Sequence, residues 1–264
     1  NIRPVRVFPG MENASAVRSE QIKDVNLVMV RELTGGLYYA KPKRRWTMAT
    51  GRRAVDTMKY SEREISRVLR VGFELARMRN RKLTSVDKAN VLETSQLWRE
   101  MATEMAQEYP DVKLEHALVD SCSMQLINDP RRFDVLVAEN IFGDILSDEA
   151  GVLAGSLGML PSASLAGVPT AGGKRRTLGL YEAVHGSAPD IAGEGKANPI
   201  ATILSAGLML RYSLLLTEES DLVEAAVGEA LKRGLRTADI AGQEQHPVST
   251  REMGDGIEVL VREM

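Results

Sequence analysis

Short apolar runs that end in polar clusters recur along the first half of the chain. Four of them occupy residues 25–30, 82–86, 114–119 and 133–138, and valine or leucine is prominent in each. Runs of this length and composition predict β-strands. Because charged or polar residues follow each run at once, the sequence predicts that functional side chains gather where strands end.

Helical patterns separate these runs. Ser61 and Glu64 form a capping-box signal, and apolar residues follow it at helical spacing. Residues 95–109 predict a second helix, which Pro110 stops. Strands that alternate with helices indicate a layered α/β fold, in which ligands bind beyond the carboxyl ends of the strands.

The remaining stretches are less regular. Residues 38–60 carry many basic side chains and few helix signals, which leaves a β-arm and a flexible loop as alternatives. After Gly151, stretches rich in small residues predict loops at 155–164 and 185–190. Three further helices are predicted, a buried one, an amphipathic one and a terminal one, at residues 200–216, 221–233 and 250–264.

Two aspartates one helical turn apart follow the fourth apolar run. Asp144 and Asp148 would repel each other in a helix unless something neutralises them. Helical geometry places them beside Ile141, Ile145 and Val152, on a face that we expect to be buried. Carboxylates at such a face call for a cation, and Mg²⁺ or Mn²⁺ suits oxygen ligands. An aspartate pair alone is more often solvated surface charge.

Composition narrows the classes of function. The chain has 264 residues, 44% of them hydrophobic and 27% charged, with a net charge of −2. This near-neutral charge gives no indication that the chain binds nucleic acid or an anionic membrane surface. No apolar run reaches membrane-spanning length. The single cysteine, Cys122, excludes an intrachain disulfide and predicts a cytoplasmic location.

Five motifs resemble, in this order, those of the metal-dependent decarboxylating dehydrogenases of 2-hydroxy acids, the isocitrate/isopropylmalate dehydrogenase family. They are RELTGGLY at 31–38, SVDKANVL at 85–92, NIFGDILSD at 140–148, LPSASL at 160–165 and HGSAPDIAG at 185–193. The resemblance runs almost from end to end, and the chain looks most like the isopropylmalate branch.

The resemblance implies an isocitrate/isopropylmalate dehydrogenase-like two-domain α/β fold that is not a Rossmann fold. Residues 1–154 would form the substrate-binding and dimerisation domain, and residues 155–264 the C-terminal half of the nucleotide-binding domain. The implied assembly is a homodimer whose active site is shared between subunits. The family also has an N-terminal segment that we expect to be missing here. It would carry a further substrate arginine and the pocket for the substrate side chain, so the expected activity requires it.

The same resemblance implies roles for individual residues. Lys88, expected from the partner subunit, would be the general base, which requires a pKa lowered by burial or neighbouring cations. Tyr38 would protonate the enolate carbon. Arg3 and Arg31 would bind substrate carboxylates, for which guanidinium groups are suited. Asn90 would contact substrate or nicotinamide, and helix capping explains it equally well.

The resemblance adds a third aspartate, Asp120, to the pair formed by Asp144 and Asp148. Asp120, Asp144 and Asp148 match the family's metal ligands, with Asp120 supplied by the partner subunit and also close to the substrate. A Mg²⁺ or Mn²⁺ ion held in this way would act as a Lewis acid.

A loop in the second half matches the family's adenosine-binding loop. Its residues are His185, Gly186, Ser187, Ala188, Pro189 and Asp190, with Asn198 beyond them. A carboxylate such as Asp190 accepts hydrogen bonds from ribose hydroxyls and repels a 2′-phosphate, so the expected cofactor is NAD.

The implied reaction is the NAD- and metal-dependent oxidative decarboxylation of a 2-hydroxy dicarboxylate, with (2R,3S)-3-isopropylmalate of leucine biosynthesis as the expected substrate. Two alternatives remain. One is a related dehydrogenase acting on D-malate, tartrate or homoisocitrate. The other is a non-catalytic subunit or inactive fragment of such an enzyme.

Overall fold

A computed structural model describes residues 1–169, 176–242 and 246–264. Seven strands form one mixed sheet in the order β6-β5-β7-β2-β1-β8-β9, and β3 and β4 form a separate hairpin. The strands are β1 (Ile2–Arg6), β2 (Asn26–Arg31), β3 (Arg44–Met48), β4 (Gly51–Val55), β5 (Lys82–Asp87), β6 (Lys113–Leu118), β7 (Val135–Ala138), β8 (Pro161–Leu165) and β9 (Gly179–Ala183).

Helices connect and cover these strands. They are α1 (Ser19–Ile22), α2 (Glu62–Arg77), α3 (Glu93–Ala106), α4 (Val119–Asn128), α5 (Asn140–Gly151), α6 (Ile200–Met209), α7 (Thr217–Lys232) and α8 (Thr250–Glu263). A π-helical turn, Leu210–Leu214, continues α6.

The four predicted runs form the parallel part of the sheet. β2 pairs with β7, β7 with β5, and β5 with β6, all in parallel. Successive side chains of a strand face opposite ways, and the core divides accordingly: Met29 and Leu136 pack in one apolar cluster, while Val30 and Val137 pack in the other. The sheet is therefore buried on both faces, as parallel sheets normally are.

Several local predictions are confirmed. Ser61 caps α2, its hydroxyl accepts from Glu64 N, and the Glu64 carboxylate accepts in return from Ser61 N. Of the two alternatives for residues 38–60, the β-arm is the one observed, because β3 and β4 pair as an antiparallel hairpin. Its residues are mostly exposed.

Three expectations are wrong. Residues Pro161–Leu165, predicted as loop, form β8, because they pair with both β1 and β9. The helix from residue 200 is buried only in its first turns, and Met209 and Leu214 are exposed. Ile145 on α5 and Val152 directly after it, which were expected to be buried, are exposed at 60% and 46%.

The buried face of α5 is instead the one that carries Gly143, Leu146 and Ala150. Gly143 allows this arrangement because an added Cβ would lie 2.8 Å from Cγ of Arg31 on the neighbouring strand. The aspartates therefore lie at the side of the packed face.

No helix among the described residues combines the length and apolarity needed to cross a bilayer.

Candidate active site

Four strand ends bring polar residues to one edge of the sheet. Arg31 is the last residue of β2, Lys88 follows β5 directly, Asp120 lies in the first turn of α4 after β6, and Glu139 joins β7 to α5. Since these strands are parallel, their carboxyl ends lie at the same edge, as the sequence predicts.

Two arginines surround the aspartate pair of α5. Arg31 Nη1 bonds Oδ1 of Asp144. Arg3 Nη1 lies 3.1 Å from Oδ1 of Asp148, and its Nη2 lies 3.7 Å from Oδ1 of Asp144. In the single chain these guanidinium groups provide the positive charge that the aspartate pair requires. The structure thus brings together both predicted substrate arginines and two of the three predicted metal ligands.

Arg31 is held by the start of α5. Asn140 Oδ1 accepts hydrogen bonds from Arg31 Nε at 3.1 Å and Nη2 at 2.8 Å. The Asn140 amide donates to the carbonyl of Gly35 at 3.1 Å. Arg31 is 6% exposed, so this buried guanidinium has a fixed orientation.

Tyr38 completes this group. Its hydroxyl donates to Oδ2 of Asp144 at 2.5 Å, and the Arg31 guanidinium carbon lies 5.4 Å from the centre of its ring. The hydrogen bond to Asp144 raises the pKa of the Tyr38 hydroxyl above its ordinary value. The phenol therefore keeps its proton at neutral pH, which is the form required of an acid.

Lys88 and Asp120 form a second group. Lys88 Nζ donates to Oδ1 of Asp120 at 2.7 Å, and this hydrogen bond lowers the pKa of the Asp120 carboxyl. Asn90 is exposed nearby, but it does not cap α3, because the residue in the N-cap position is Leu92. The capping alternative for Asn90 is therefore wrong.

The two groups do not merge within one chain. Strand β5 lies between β6 and β7, so the ends of β6 and β7 are about 10 Å apart at ordinary strand spacing. In the described ranges, no three His, Cys, Asp or Glu side chains lie close enough to hold a metal ion. Asp144 and Asp148 thus have no third acidic ligand from the described part of their own chain.

The predicted adenosine loop is exposed from His185 to Asp190. Ala188 adopts a left-handed conformation with φ of 42°, and Asp190 follows in a short 3-10 turn with its carboxylate exposed. Asn198 is buried, accepts from Ile200 N at 3.0 Å and donates to Asp239 at 3.1 Å. The loop is thus accessible to a ligand, while Asn198 is anchored by its buried hydrogen bonds.

Sequence reasoning missed Asp239, Glu139 and Tyr60. Asp239 also accepts a hydrogen bond from the hydroxyl of Ser156 at 2.5 Å. Glu139 is 4% exposed and caps α5, and burial raises its pKa. The signal that could have found Glu139 is an acid directly before a predicted helix. Tyr60 donates to Glu139 across 79 positions of sequence, which no local pattern reveals.

A cavity of about 740 Å³ lies elsewhere, between β1, β8 and the helices α6 and α7. Apolar residues such as Val28, Met159 and Leu208 line it, and its lining includes none of the predicted site residues. It therefore does not contribute to the arginine–aspartate site.

The donor chemistry fits the ligands that the resemblance implies. Asp144 and Asp148 are both accessible, with side-chain exposures of 29% and 60%, and they offer only oxygen atoms, which Mg²⁺ and Mn²⁺ prefer. The exposed carboxylate of Asp190 suits hydrogen bonds from a diol. Both predicted ligand sites therefore have suitable groups.

Comparison with known proteins agrees with this geometry. The family model for isocitrate/isopropylmalate dehydrogenase matches residues 1–257. A 3-isopropylmalate dehydrogenase of Dehalococcoides mccartyi is 56% identical over 262 residues, which are 99% of this chain and 71% of that protein. One of Carboxydothermus hydrogenoformans is 57% identical over 256 residues, 97% of this chain and 66% of that protein.

Among solved structures, an isocitrate dehydrogenase from Methylococcus capsulatus superposes with a TM-score of 0.85 at 38% identity. The match covers 99% of this chain and 72% of that one. The fold, the ordered motifs and these identities together show that the chain belongs to the isocitrate/isopropylmalate dehydrogenase family of decarboxylating dehydrogenases.

Proposed function

We propose that the protein catalyses the NAD- and divalent-metal-dependent oxidative decarboxylation of (2R,3S)-3-isopropylmalate to 4-methyl-2-oxopentanoate and CO₂, a step of leucine biosynthesis. The observation that carries this proposal is the group of two arginines and two aspartates at the edge of the sheet, in a chain 56% identical to a protein named 3-isopropylmalate dehydrogenase.

Arg3 and Arg31 bind the substrate carboxylates in this proposal. Arg3 pairs with both aspartates and Arg31 with Asp144. Burial of Arg31, together with its bonds to Asn140, fixes the direction of its remaining donors. Two parallel donors of one guanidinium match the two oxygens of a carboxylate.

The metal ligands are Asp144 and Asp148 of one chain and Asp120 of a second copy. When bound, the divalent ion supplies Lewis-acid chemistry at the substrate oxygens. Asp120 also lies beside Lys88, so a second copy that presents Asp120 presents the general base with it.

Protons move through Lys88 and Tyr38. Lys88 would take the proton of the substrate C2 hydroxyl through a water molecule, and NAD⁺, held by the loop at residues 185–190, would supply the hydride acceptor for C2. The oxidised product loses CO₂, and Tyr38 donates its hydroxyl proton to the carbon of the enolate that remains. The Tyr38 hydroxyl already points its proton at a carboxylate oxygen of the site. Asn90 contacts the substrate or the nicotinamide.

The shared site requires a homodimer, and two exposed surfaces support one. Met124 on α4 and Ile145 on α5 are both 60% exposed, although each helix also carries a predicted metal ligand. The β3–β4 hairpin is a two-stranded unit of the kind that is only marginally stable alone. Residues 1–154 would thus carry substrate binding and dimerisation.

Residues 155–264 would contribute to the nucleotide site. The adenosine of NAD would be held by this loop, with the residues His185, Gly186, Ser187, Ala188, Pro189 and Asp190, and by Asn198. Asp190 accepts from the ribose hydroxyls and disfavours NADP by charge repulsion. The single buried thiol supports a cytoplasmic location.

The experiment measures NAD⁺ reduction by the full-length protein with 3-isopropylmalate, D-malate, tartrate and homoisocitrate, each with Mn²⁺ and with chelator. We expect the highest kcat/KM for 3-isopropylmalate and no turnover without metal. A higher kcat/KM for another acid would contradict the substrate, and no turnover with any of them would indicate a non-catalytic subunit.

Asp144→Asn tests the site itself. It is expected to abolish turnover and to weaken Mn²⁺ binding in calorimetry, because one of two carboxylates on α5 is lost. The matched control is Glu149→Gln, on the same helix, whose carboxylate accepts a hydrogen bond from Ser123. It should leave turnover and Mn²⁺ binding unchanged. Turnover in Asp144→Asn equal to that of the parent would refute the assignment.

A further inference from the structure

Tyr60 lies beside the arginine–aspartate site, between the start of α5 and the turn formed by Gly35 and Gly36. It is 7% exposed. Its hydroxyl donates to Oε2 of Glu139 at 3.0 Å and accepts from the backbone N–H of Asn140 at 3.0 Å. The phenol is thus tied to the start of α5, the helix that carries Asp144 and Asp148.

The ring of Tyr60 lies directly against the glycine turn that leads to Tyr38. A Cβ built on Gly35 would lie 2.9 Å from Cε1 of Tyr60, and one built on Gly36 would lie 2.2 Å from its hydroxyl oxygen. Gly36 also has a φ of +67°, a conformation that favours glycine. No side chain larger than hydrogen fits between this ring and the turn.

The ring itself has little freedom. Trp98 meets it edge-on with a centroid distance of 6.1 Å, and the Trp98 indole donates to Ser85 at 3.0 Å. The Glu139 carboxylate, which accepts from the Tyr60 hydroxyl, also accepts from the backbone N–H groups of Ile141 and Phe142. Tyr60 is therefore a fixed surface on which the turn rests.

The turn determines where Tyr38 lies. Gly36–Tyr38 forms a single 3-10 turn, and Tyr38 leaves it to reach Asp144. Tyr38 is 44% exposed, and apart from its own backbone it is held by its hydrogen bond to Asp144 and by the Arg31 guanidinium over its ring. A displacement of the glycine turn would pass directly to the Tyr38 hydroxyl.

We propose that Tyr60 is a positioning residue that fixes the Gly35–Gly36 turn and thereby holds the Tyr38 hydroxyl at its place beside Asp144. This inference rests on the role of Tyr38 in the proposed function. Tyr60 does not touch the reacting atoms, since its hydroxyl is fully engaged by Glu139 and Asn140.

Tyr60→Phe tests the proposal against a matched control. Tyr109 is also buried, packs in the same apolar cluster and donates to a carboxylate, Glu74, at 3.0 Å, but it does not contact the glycine turn. Tyr60→Phe is expected to lower kcat about 10- to 100-fold with KM within about threefold, because small misplacements at a reacting centre are costly. Tyr109→Phe should lower the melting temperature by a similar amount and leave kcat within about twofold.

A double-mutant cycle separates positioning from general destabilisation. In a Tyr38→Phe background, Tyr60→Phe should change kcat by less than about threefold, because the group that it positions is gone. Equal effects of Tyr60→Phe in both backgrounds would overturn the proposal. If Tyr38→Phe itself leaves kcat unchanged, the role of Tyr38 in the proposed function fails instead.

A spectroscopic measurement tests positioning without turnover. With 3-fluorotyrosine at position 38, the ¹⁹F resonance should shift or broaden in Tyr60→Phe and stay unchanged in Tyr109→Phe. If Tyr60→Phe does not fold, Gly35→Ala disturbs the same contact from the side of the turn and should move the same resonance. A resonance identical to that of the parent in the folded variant would overturn the inference.

Discussion

The ammonium of Lys88 lies 2.7 Å from a carboxylate oxygen of Asp120, although the two residues follow different strands. The pair joins the ends of β5 and β6, while the arginine–aspartate group lies over β2 and β7. In the proposed shared site, the Lys88–Asp120 pair of one chain would meet the arginine–aspartate group of a second copy.

Lys88→Met is expected to lower kcat at least about 100-fold, the usual contribution of a general base. The melting temperature should stay close to that of the parent, because a partly exposed ion pair contributes little to stability. Steady-state kinetics and thermal unfolding check both. The control is Lys82→Met, which removes the lysine at the start of β5, paired with Glu115. Equal kcat losses in the two variants would argue against a role for Lys88 as base.

Arg31→Lys is expected to raise KM for the substrate about 10- to 100-fold, because a charged hydrogen bond contributes about 1.5–3 kcal/mol and an ammonium cannot reproduce the paired donors. Arg79→Lys is the control. Arg79 pairs with an aspartate as Arg31 does, but its partner is Asp134 at the opposite edge of the sheet. The KM of the Arg79→Lys variant should stay within about twofold of the parent value. An unchanged KM in Arg31→Lys is incompatible with the proposed carboxylate site.

Asp190→Ala is expected to reduce kcat/KM for NAD⁺ about tenfold or more and to leave the value for NADP⁺ equal or higher, because both an acceptor and a repulsive charge are removed. Glu194→Ala removes an exposed acid of the same region, paired with Lys196, and should leave the ratio of the two cofactors unchanged. If both variants keep the parent ratio, Asp190 does not select the cofactor.

Cys122 is expected to resist thiol reagents in the native protein. It is fully buried, and burial raises the pKa of its thiol to about 12. At pH 8 only about one thiol in ten thousand would be ionised, and the thiolate is the reactive form. Disulfide-exchange reagents should label one thiol per chain in denaturant and essentially none in buffer. Rapid labelling of the native protein would contradict the burial of Cys122.

The parallel strands and their polar ends were predictable from sequence, because buried parallel strands are nearly continuous apolar runs. Residues Pro161–Leu165 were not, since their strand depends on pairing with β1, which lies about 160 positions earlier in the chain. The exposed face of α5 was also misjudged. Helical spacing identifies which residues share a face, but Gly143 and its close approach to Arg31 decide which face is buried.

The site residues also divide into those that could be predicted from the sequence and those that could not. Arg31, Lys88 and Asp144 could be predicted because each lies at the end of a recognisable strand or within a recognisable motif. Tyr60 and Asp239 could not, because their functional neighbours are distant in sequence and a single tyrosine or aspartate carries no local pattern.

The most direct test of the shared site mixes two inactive variants of the full-length protein, Asp120→Asn and Asp144→Asn, unfolds them together and refolds them. In a heterodimer, the Asp144→Asn chain supplies an intact Asp120 and the other chain supplies intact Asp144 and Asp148. One complete site forms per heterodimer, so statistical mixing should restore about a quarter of the parent turnover. A mixture that stays as inactive as each variant alone would contradict a site built from two chains.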